Sequence, residues 1–246
     1  MVIEEIQLEI SSRCNSRCSM CLKKDDMRQQ GYMSFKLAKR AIDQSGAKSL
    51  KASWFGESLM SPNFKKIVRY AKKKGLYVFL FTNGTLIDWQ MGKFLKEYVD
   101  KVFLSVDDIG FQYENIRKGL RFSDFLKGFD NIREHNNLIL TSLSFSEKQV
   151  WRMKTYFKDY NLTFSKIVNR YKKNKNKRKI VCGHNVDKRL VVGWDGKCYL
   201  CCQDWLGKYP IGDLKKQSID KIWDGEKRLN LINNLKNLEI CQNCME

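Results

Sequence analysis

The chain switches repeatedly between two hydrophobic rhythms. Ile6, Leu8 and Ile10 alternate with polar positions, the two-residue period of a strand, and Ile3 precedes them. Further on, Ser34 is placed to cap a helix whose apolar stripe is Leu37, Ala38, Ala41 and Ile42. Leu50–Phe55 reads as a strand. Phe64–Lys74 reads as a helix with Ile67, Val68 and Ala71 inward, stopped by Gly75. Leu76–Phe81 is a nearly continuous apolar run, the pattern of a parallel strand buried on both faces. The rhythm continues with a helix at Trp89–Tyr98, a strand at Val102–Val106, a helix at Phe122–His135 and a strand at Leu138–Leu143. A helix at Glu147–Tyr160 and a weak strand at Phe164–Val168 complete it. Strands alternating with helices of about 10–15 residues imply right-handed βαβ units and a parallel sheet. About six units fall short of an eight-fold barrel. The expectation for residues 1–170 is therefore an α/β open or partial (β/α)6 barrel.

The rhythm breaks at the basic run Arg170–Lys179. Residues 171–180 read as a solvated, mobile linker rather than a dedicated anion site. A small cysteine-rich domain is expected over 181–246. In it Leu190–Cys202 forms a hairpin turning at Asp195-Gly196, followed by a helix from about Ser218 to Leu235.

Composition narrows the function classes. The 246 residues, 43% of them hydrophobic, suffice for one large domain or a main domain with an appendage. No run of about 18 apolar residues suggests a membrane span, and the N-terminus lacks the basic and apolar regions of a signal peptide. Nine cysteines without a secretion signal point to metal ligands in a reducing cytoplasm rather than disulfides. Two histidines leave little room for histidine chemistry. The formal charge of +19 favours an anionic partner and argues against a polycationic substrate; nucleic acid is not the favoured partner.

Three thiols, Cys14, Cys18 and Cys21, stand in a C-x3-C-x2-C loop after the first strand. A closed zinc site needs four ligands and disulfides need an even count. A cubane cluster has four irons, so three thiolates leave one iron open to a substrate or cofactor. Ligands in parallel α/β folds gather at the carboxyl ends of strands, where three further elements fall. Phe55-Gly56-Glu57 ends the second strand, with a glycine that permits close approach and a carboxylate that can pair with an ammonium. Thr82-Asn83-Gly84 ends the third and Ser105-Val106-Asp107 the fourth, offering hydroxyl, amide and carboxylate groups. Arg117 follows, suited to a bidentate carboxylate pair.

The cysteine loop and these strand ends together resemble the radical S-adenosylmethionine (SAM) superfamily. Phe55-Gly56-Glu57-Ser58 resembles its Gly-Gly-Glu-Pro element, with Phe55 replacing the first glycine and Ser58 the proline. The resemblance implies that Cys14, Cys18 and Cys21 hold a 4Fe–4S cluster whose open iron chelates SAM. It places Met20, Gly56, Glu57, Thr82, Asn83, Ser105, Asp107 and Arg117 around that cofactor. It further implies an oxidoreductase in which an external electron, from a donor such as flavodoxin or ferredoxin, cleaves SAM to a 5′-deoxyadenosyl radical. That radical would take hydrogen from the substrate under oxygen-poor conditions. Whether SAM is consumed or regenerated stays open.

Six cysteines remain: Cys182, Cys198, Cys201, Cys202, Cys241 and Cys244. They make a four-thiolate site, and thiols alone leave iron–sulfur and zinc both open. The arrangement resembles the shortened SPASM, or twitch, domain, which implies one auxiliary 4Fe–4S cluster on Cys182, Cys201, Cys241 and Cys244. Cys202 is the reserve ligand, because neighbouring strand residues face opposite ways. Cys198 reads as core. The auxiliary cluster would carry electrons. The expected substrate is an anionic small molecule, with a peptide or protein as the alternative. A non-enzymatic, zinc-stabilised nucleic-acid-binding protein is the reading from another class.

Overall fold

A computed structural model describes residues 2–21, 28–166, 182, 186–242 and 244. One nine-stranded sheet runs through them in the order β6-β5-β4-β3-β2-β1-β7-β8-β9. Strands β1 (Glu5–Leu8), β2 (Ser49–Lys51), β3 (Tyr77–Thr82), β4 (Lys101–Ser105), β5 (Leu138–Ser144) and β6 (Leu162–Lys166) are parallel neighbours. The tail does not form a separate sheet. Its strand β7 (Arg189–Val192) pairs parallel with β1, Glu5 facing Arg189 and Leu8 facing Val192. Strands β8 (Lys197–Tyr199) and β9 (Pro210–Asp213) then add antiparallel. The mostly parallel, unclosed sheet and the strand-bearing cysteine-rich tail are both present as the sequence indicates.

The helices form where their stripes call for them. In α1 (Phe35–Ser45) Ser34 accepts from the Leu37 amide at 3.2 Å, and Leu37, Ala38, Ala41 and Ile42 are buried. Helix α2 (Phe64–Lys73) buries Ile67, Val68 and Ala71. Helices α3 (Trp89–Tyr98), α4 (Gly110–Ile116), α5 (Phe122–Ile132) and α6 (Glu147–Tyr156) follow. Helix α4 has no counterpart in the pattern reading. It is short, and only Tyr113 in it is buried, so it leaves no periodic stripe.

Sheet burial corrects one expectation. The third strand is buried on one face only. Ile6, Leu8, Leu50, Val78, Leu80, Val102, Leu104 and Leu140 are inaccessible and share one core with the helix stripes. Their alternates Phe79, Phe81 and Phe103 are half-buried, Tyr77 is 40% exposed, and none of the four packs into that core. Apolar content alone does not distinguish a covered face from an uncovered one.

Several boundaries also shift, β6 among them, which begins at Leu162 rather than Phe164. Strand β2 stops at Lys51, and the following residues leave the ladder to reach the cysteine loop. The tail helix divides into α7 (Ile219–Trp223) and α8 (Glu226–Asn233), with Gly225 as the second N-cap. Both α5 and α6 end sooner than their stripes suggest. The basic run 170–179 and the linker 171–180 lie outside the described residues.

Candidate functional site

The cysteine loop follows β1 and is held by neighbouring strand ends. Its backbone receives the Glu57 amide at Arg13 O (2.8 Å), and gives the Arg17 and Ser19 amides to Lys118 O (2.7 Å) and Ile116 O (2.8 Å). Asn15 donates to Thr85 Oγ1 (3.0 Å) and accepts from Asn83 Nδ2 (2.8 Å). Gly56 explains why a glycine is needed here. Its φ is +126°, and a Cβ would lie 2.4 Å from Ser11 O and 2.7 Å from Arg13 O. The close approach is thus to the chain's own loop, rather than to a ligand. Cys14, Cys18 and Cys21 are half-buried and form no disulfide. Cys14 Sγ lies 3.1 Å from Ser16 Oγ, and burial pushes the Cys14 thiol up.

Glu57 is fully enclosed. Its carboxylate accepts from Thr82 Oγ1 (2.8 Å), the Asn83 amide (2.8 Å) and the Leu59 amide (3.2 Å). Burial outweighs these bonds and raises its pKa above the usual range. Three of a carboxylate's roughly four lone-pair positions are therefore used inside the chain. Asp107 is held likewise. Arg117 Nη2 lies 2.6 Å from its Oδ2, and the Leu143 amide donates to its Oδ1 at 2.8 Å. Gln149 Nε2 donates to the Asp107 and Leu143 carbonyls.

Beside this pair, Arg117 Nε and the Tyr113 hydroxyl are buried without a hydrogen-bond partner among the described residues. Burial raises the Tyr113 pKa, and the charge of Cys18 acts on both groups. Two enclosed donors beside the three-cysteine loop suit an anionic group there. The residues present therefore fit a thiolate-held cluster with a negatively charged ligand next to it. Of the sequence candidates, Gly56, Glu57, Thr82 and Asn83 join the loop directly, and Asp107 and Arg117 form the neighbouring ion pair. Ser105 lies two residues below Asp107 on β4, and Met20 sits half-buried in the loop. Asn15, Thr85, Tyr113 and Gln149 were not marked by sequence. Gln149 sits in a helix-start pattern and carries no signal at all.

In the tail, burial raises Cys241 to about 12, reinforced by Cys182 and Cys244. The Cys202 thiol and burial raise Cys201, with Cys182 adding to the effect. Cys182, Cys201, Cys241 and Cys244 are thus electrostatic neighbours. Among the described residues, no three His, Cys, Asp or Glu side chains converge as single-ion ligands. A four-iron cluster does not ask for that spacing, because each thiolate binds its own iron. Cys202 belongs to the same group, its thiol hydrogen-bonded to that of Cys201, and Arg189 Nη1 lies 3.6 Å from its sulfur. Cys198 is inaccessible, belongs to the core and is pushed up to about 12 by burial.

Two contacts seat the tail on the first site. Trp54 Nε1 donates to Cys202 O at 2.7 Å. Arg28, bound to Glu9 through two bonds (3.2 and 2.9 Å), lies over the Trp54 ring at 4.7 Å and over the tail's Tyr199 ring at 5.8 Å. Gly31 leaves room for Trp194, whose ring a Cβ would meet at 2.3 Å.

Residues 8–145 match the Radical SAM superfamily. The chain belongs to that superfamily. Residues 182–245 match SPASM, an iron–sulfur cluster-binding domain. The radical SAM domain binds a 4Fe–4S cluster and SAM, and a SPASM domain binds auxiliary iron–sulfur clusters. The zinc-stabilised, non-enzymatic reading falls with these matches. A tungsten-containing aldehyde ferredoxin oxidoreductase cofactor-modifying protein of Pyrococcus furiosus is 26% identical over 291 residues, 90% of this chain and 81% of that protein. The antilisterial bacteriocin subtilosin biosynthesis protein AlbA of Bacillus subtilis is 26% identical over 152 residues. That is 59% of this radical SAM chain and 34% of AlbA. Among solved structures, BtrN in complex with AdoMet and 2-DOIA superposes with a TM-score of 0.70 at 17% identity, covering 100% of this chain and 94% of BtrN. At that identity the likeness is one of fold. No helix among the described residues is long and apolar enough to cross a membrane.

Proposed function

We propose that this radical SAM protein is an oxidoreductase that abstracts hydrogen from an anionic small molecule. Cys14, Cys18 and Cys21 would hold the SAM-binding cluster, and Cys182, Cys201, Cys241 and Cys244 one auxiliary cluster. When bound and reduced, the first cluster supplies the electron that splits SAM to methionine and a 5′-deoxyadenosyl radical, and the auxiliary cluster exchanges electrons with the substrate. The protein's own part is positional. Glu57 ties Thr82 and Asn83 to the loop, and Met20, Gly56 and Ser105 line the same end of the sheet. Arg117, fixed by Asp107, directs its remaining Nε–H towards an anionic group. Nine cysteines, none of them in a disulfide, accord with a reducing cytoplasm and a flavodoxin- or ferredoxin-type donor.

The observation that carries this reading is a three-cysteine loop, outside any disulfide, beside the enclosed, incompletely bonded Arg117 and Tyr113. Anaerobic protein, reconstituted with iron and sulfide and reduced with dithionite, is expected to convert SAM to 5′-deoxyadenosine. Cys14→Ala, Cys18→Ala and Cys21→Ala are each expected to abolish this. Undiminished cleavage by any of the three overturns the reading.

The name of the Pyrococcus relative, a cofactor-modifying protein matched over most of both chains, supports a small-molecule substrate. AlbA, a bacteriocin biosynthesis protein, supports the peptide alternative over a shorter match. The two separate by mass spectrometry. Deuterium from a labelled substrate appears in 5′-deoxyadenosine only for the class that is acted upon.

A further inference from the structure

Helix α2 carries five basic residues among its ten and no acidic one. Phe64, Ile67, Val68 and Ala71 are its buried side, and Lys66, Arg69 and Lys73 are exposed on the other. They follow one another at three- and four-residue steps, so they form a single row on the helix surface. At 1.5 Å per residue the row is about 10 Å long.

These cations are held differently from their neighbours. Towards the end of α2, Lys72 is paired with Asp100, and Lys74 just beyond it with Asp43, which Lys39 of α1 also binds. Lys66, Arg69 and Lys73 have no carboxylate partner among the described residues. Two of them rest on rings instead. Lys66 Nζ lies 4.3 Å over Phe35, and the Arg69 guanidinium lies 5.2 Å over Phe94 and 5.3 Å over Tyr98. A ring face steadies a cation without neutralising it, so the row keeps its charge for a partner outside the chain. The helices packed on either side add exposed Lys36 from α1 and Lys93 and Lys96 from α3, against Glu97.

Net charge does not select the partner, but the make-up of this surface does. Heads spread along a convex helix cannot enclose a small anion. Protein–protein contacts bury an apolar core, and among the described residues no large exposed apolar side chain lies on α1 or α2. Single strands bind by stacking bases on open rings, whereas Phe35, Phe94 and Tyr98 lie beneath cations. A duplex backbone needs only positive charge, and a row of about 10 Å spans about three phosphates of one strand. We propose that Lys66, Arg69 and Lys73 on the outer face of α2 bind the phosphate backbone of a nucleic-acid duplex, without regard to sequence. The inference goes beyond the radical SAM reading and does not depend on it.

The experiment is fluorescence anisotropy of the anaerobically reconstituted full chain with a labelled DNA duplex of about 20 base pairs, from about 50 to 200 mM salt. Lys66→Gln/Arg69→Gln/Lys73→Gln is expected to weaken binding at least tenfold. It should also lower the slope of log K against log salt by about 2.7, at about 0.9 per lost phosphate contact. Lys66→Arg/Lys73→Arg keeps the charge and should stay within about threefold. Lys148→Gln/Lys154→Gln/Lys158→Gln removes as many exposed cations at α6 and should also stay within about threefold. All variants should retain wild-type iron content and circular dichroism. Absence of duplex binding, an unchanged slope in the α2 variant, an equal loss in the α6 variant, or tighter binding of the separated single strand overturns the proposal. Competition by polyglutamate that matches unlabelled duplex charge for charge overturns it as well, and would assign the face to an acidic protein. SAM cleavage, measured on the same samples, reports separately on the radical SAM reading.

Discussion

Arg117 and Asp107 form the most enclosed ion pair of the candidate site, with side chains 10% and 1% exposed. Replacing Arg117 by Met keeps the apolar stem and removes the charge, leaving Asp107 buried with the Leu143 amide as its remaining charge-stabilising partner. Breaking a buried pair from one side costs about 3–5 kcal/mol, and the surviving amide bond puts this case near 3. Asp107→Asn/Arg117→Met removes both charges and still lets the residue 107 carbonyl accept from Leu143. It should cost about 1 kcal/mol, about 2 kcal/mol less than Arg117→Met; with Asp107→Asn alone also about 3, a double-mutant cycle gives a coupling of about 5 kcal/mol. Urea unfolding of the full chain, followed by tryptophan fluorescence, reads these values. At a slope of about 2 kcal/mol/M the Arg117→Met midpoint falls by about 1.5 M, and the double variant regains about 1 M of it. A single variant that unfolds with the wild type, or a cycle with no coupling, would refute the reasoning that Arg117 is fixed by Asp107.

Other outcomes follow from the same geometry. Gly56→Ala forces a Cβ against Ser11 O and Arg13 O at a positive φ. It should cost at least about 2 kcal/mol in urea unfolding and lower the iron retained after reconstitution; wild-type values in both would contradict the close approach. Burial raises the Glu57 pKa above its ordinary value of 4.5, so its folded form holds a proton more tightly than its unfolded form. Its contribution is therefore fully present below pH 4.5 and is lost as pH rises through the raised value. Glu57→Gln should flatten the stability profile from pH 4.5 upward, and an unchanged profile would count against the buried carboxylate. Cys198→Ala removes a core thiol and should leave the iron content unchanged while lowering stability by about 1 kcal/mol; lost iron would make Cys198 a ligand.

The alternation of strands and helices was readable because each element buries one face or stripe, and burial writes its period into the sequence. Leu37, Ala38, Ala41 and Ile42 gave α1, and Ser34 gave its cap. Which side of the sheet the described helices cover was not readable. Phe79 and Phe81 are as apolar as Val78 and Leu80, and only the placement of the helices separates them. The thiol spacing marked the cysteine loop, but its supports are long-range. Asn15 meets Asn83 across 68 residues, and Gln149 reaches Asp107 across 42. Such pairings leave no local pattern. Glu57 was legible as a carboxylate at a strand end, though not as one already bound by Thr82, Asn83 and Leu59. The continuity of the tail with β1 was likewise invisible, because parallel pairing of β7 needs no adjacent strand in sequence.

The measurement that bears most directly on the account is iron and sulfide per chain, with Mössbauer spectra, for anaerobic wild type and the Cys14→Ala/Cys18→Ala/Cys21→Ala variant. Two cubane sites predict about eight irons falling to about four, with the remaining cluster bound wholly by thiolates. A triple variant that keeps all the wild-type iron would contradict the assignment of the cluster to the loop after β1.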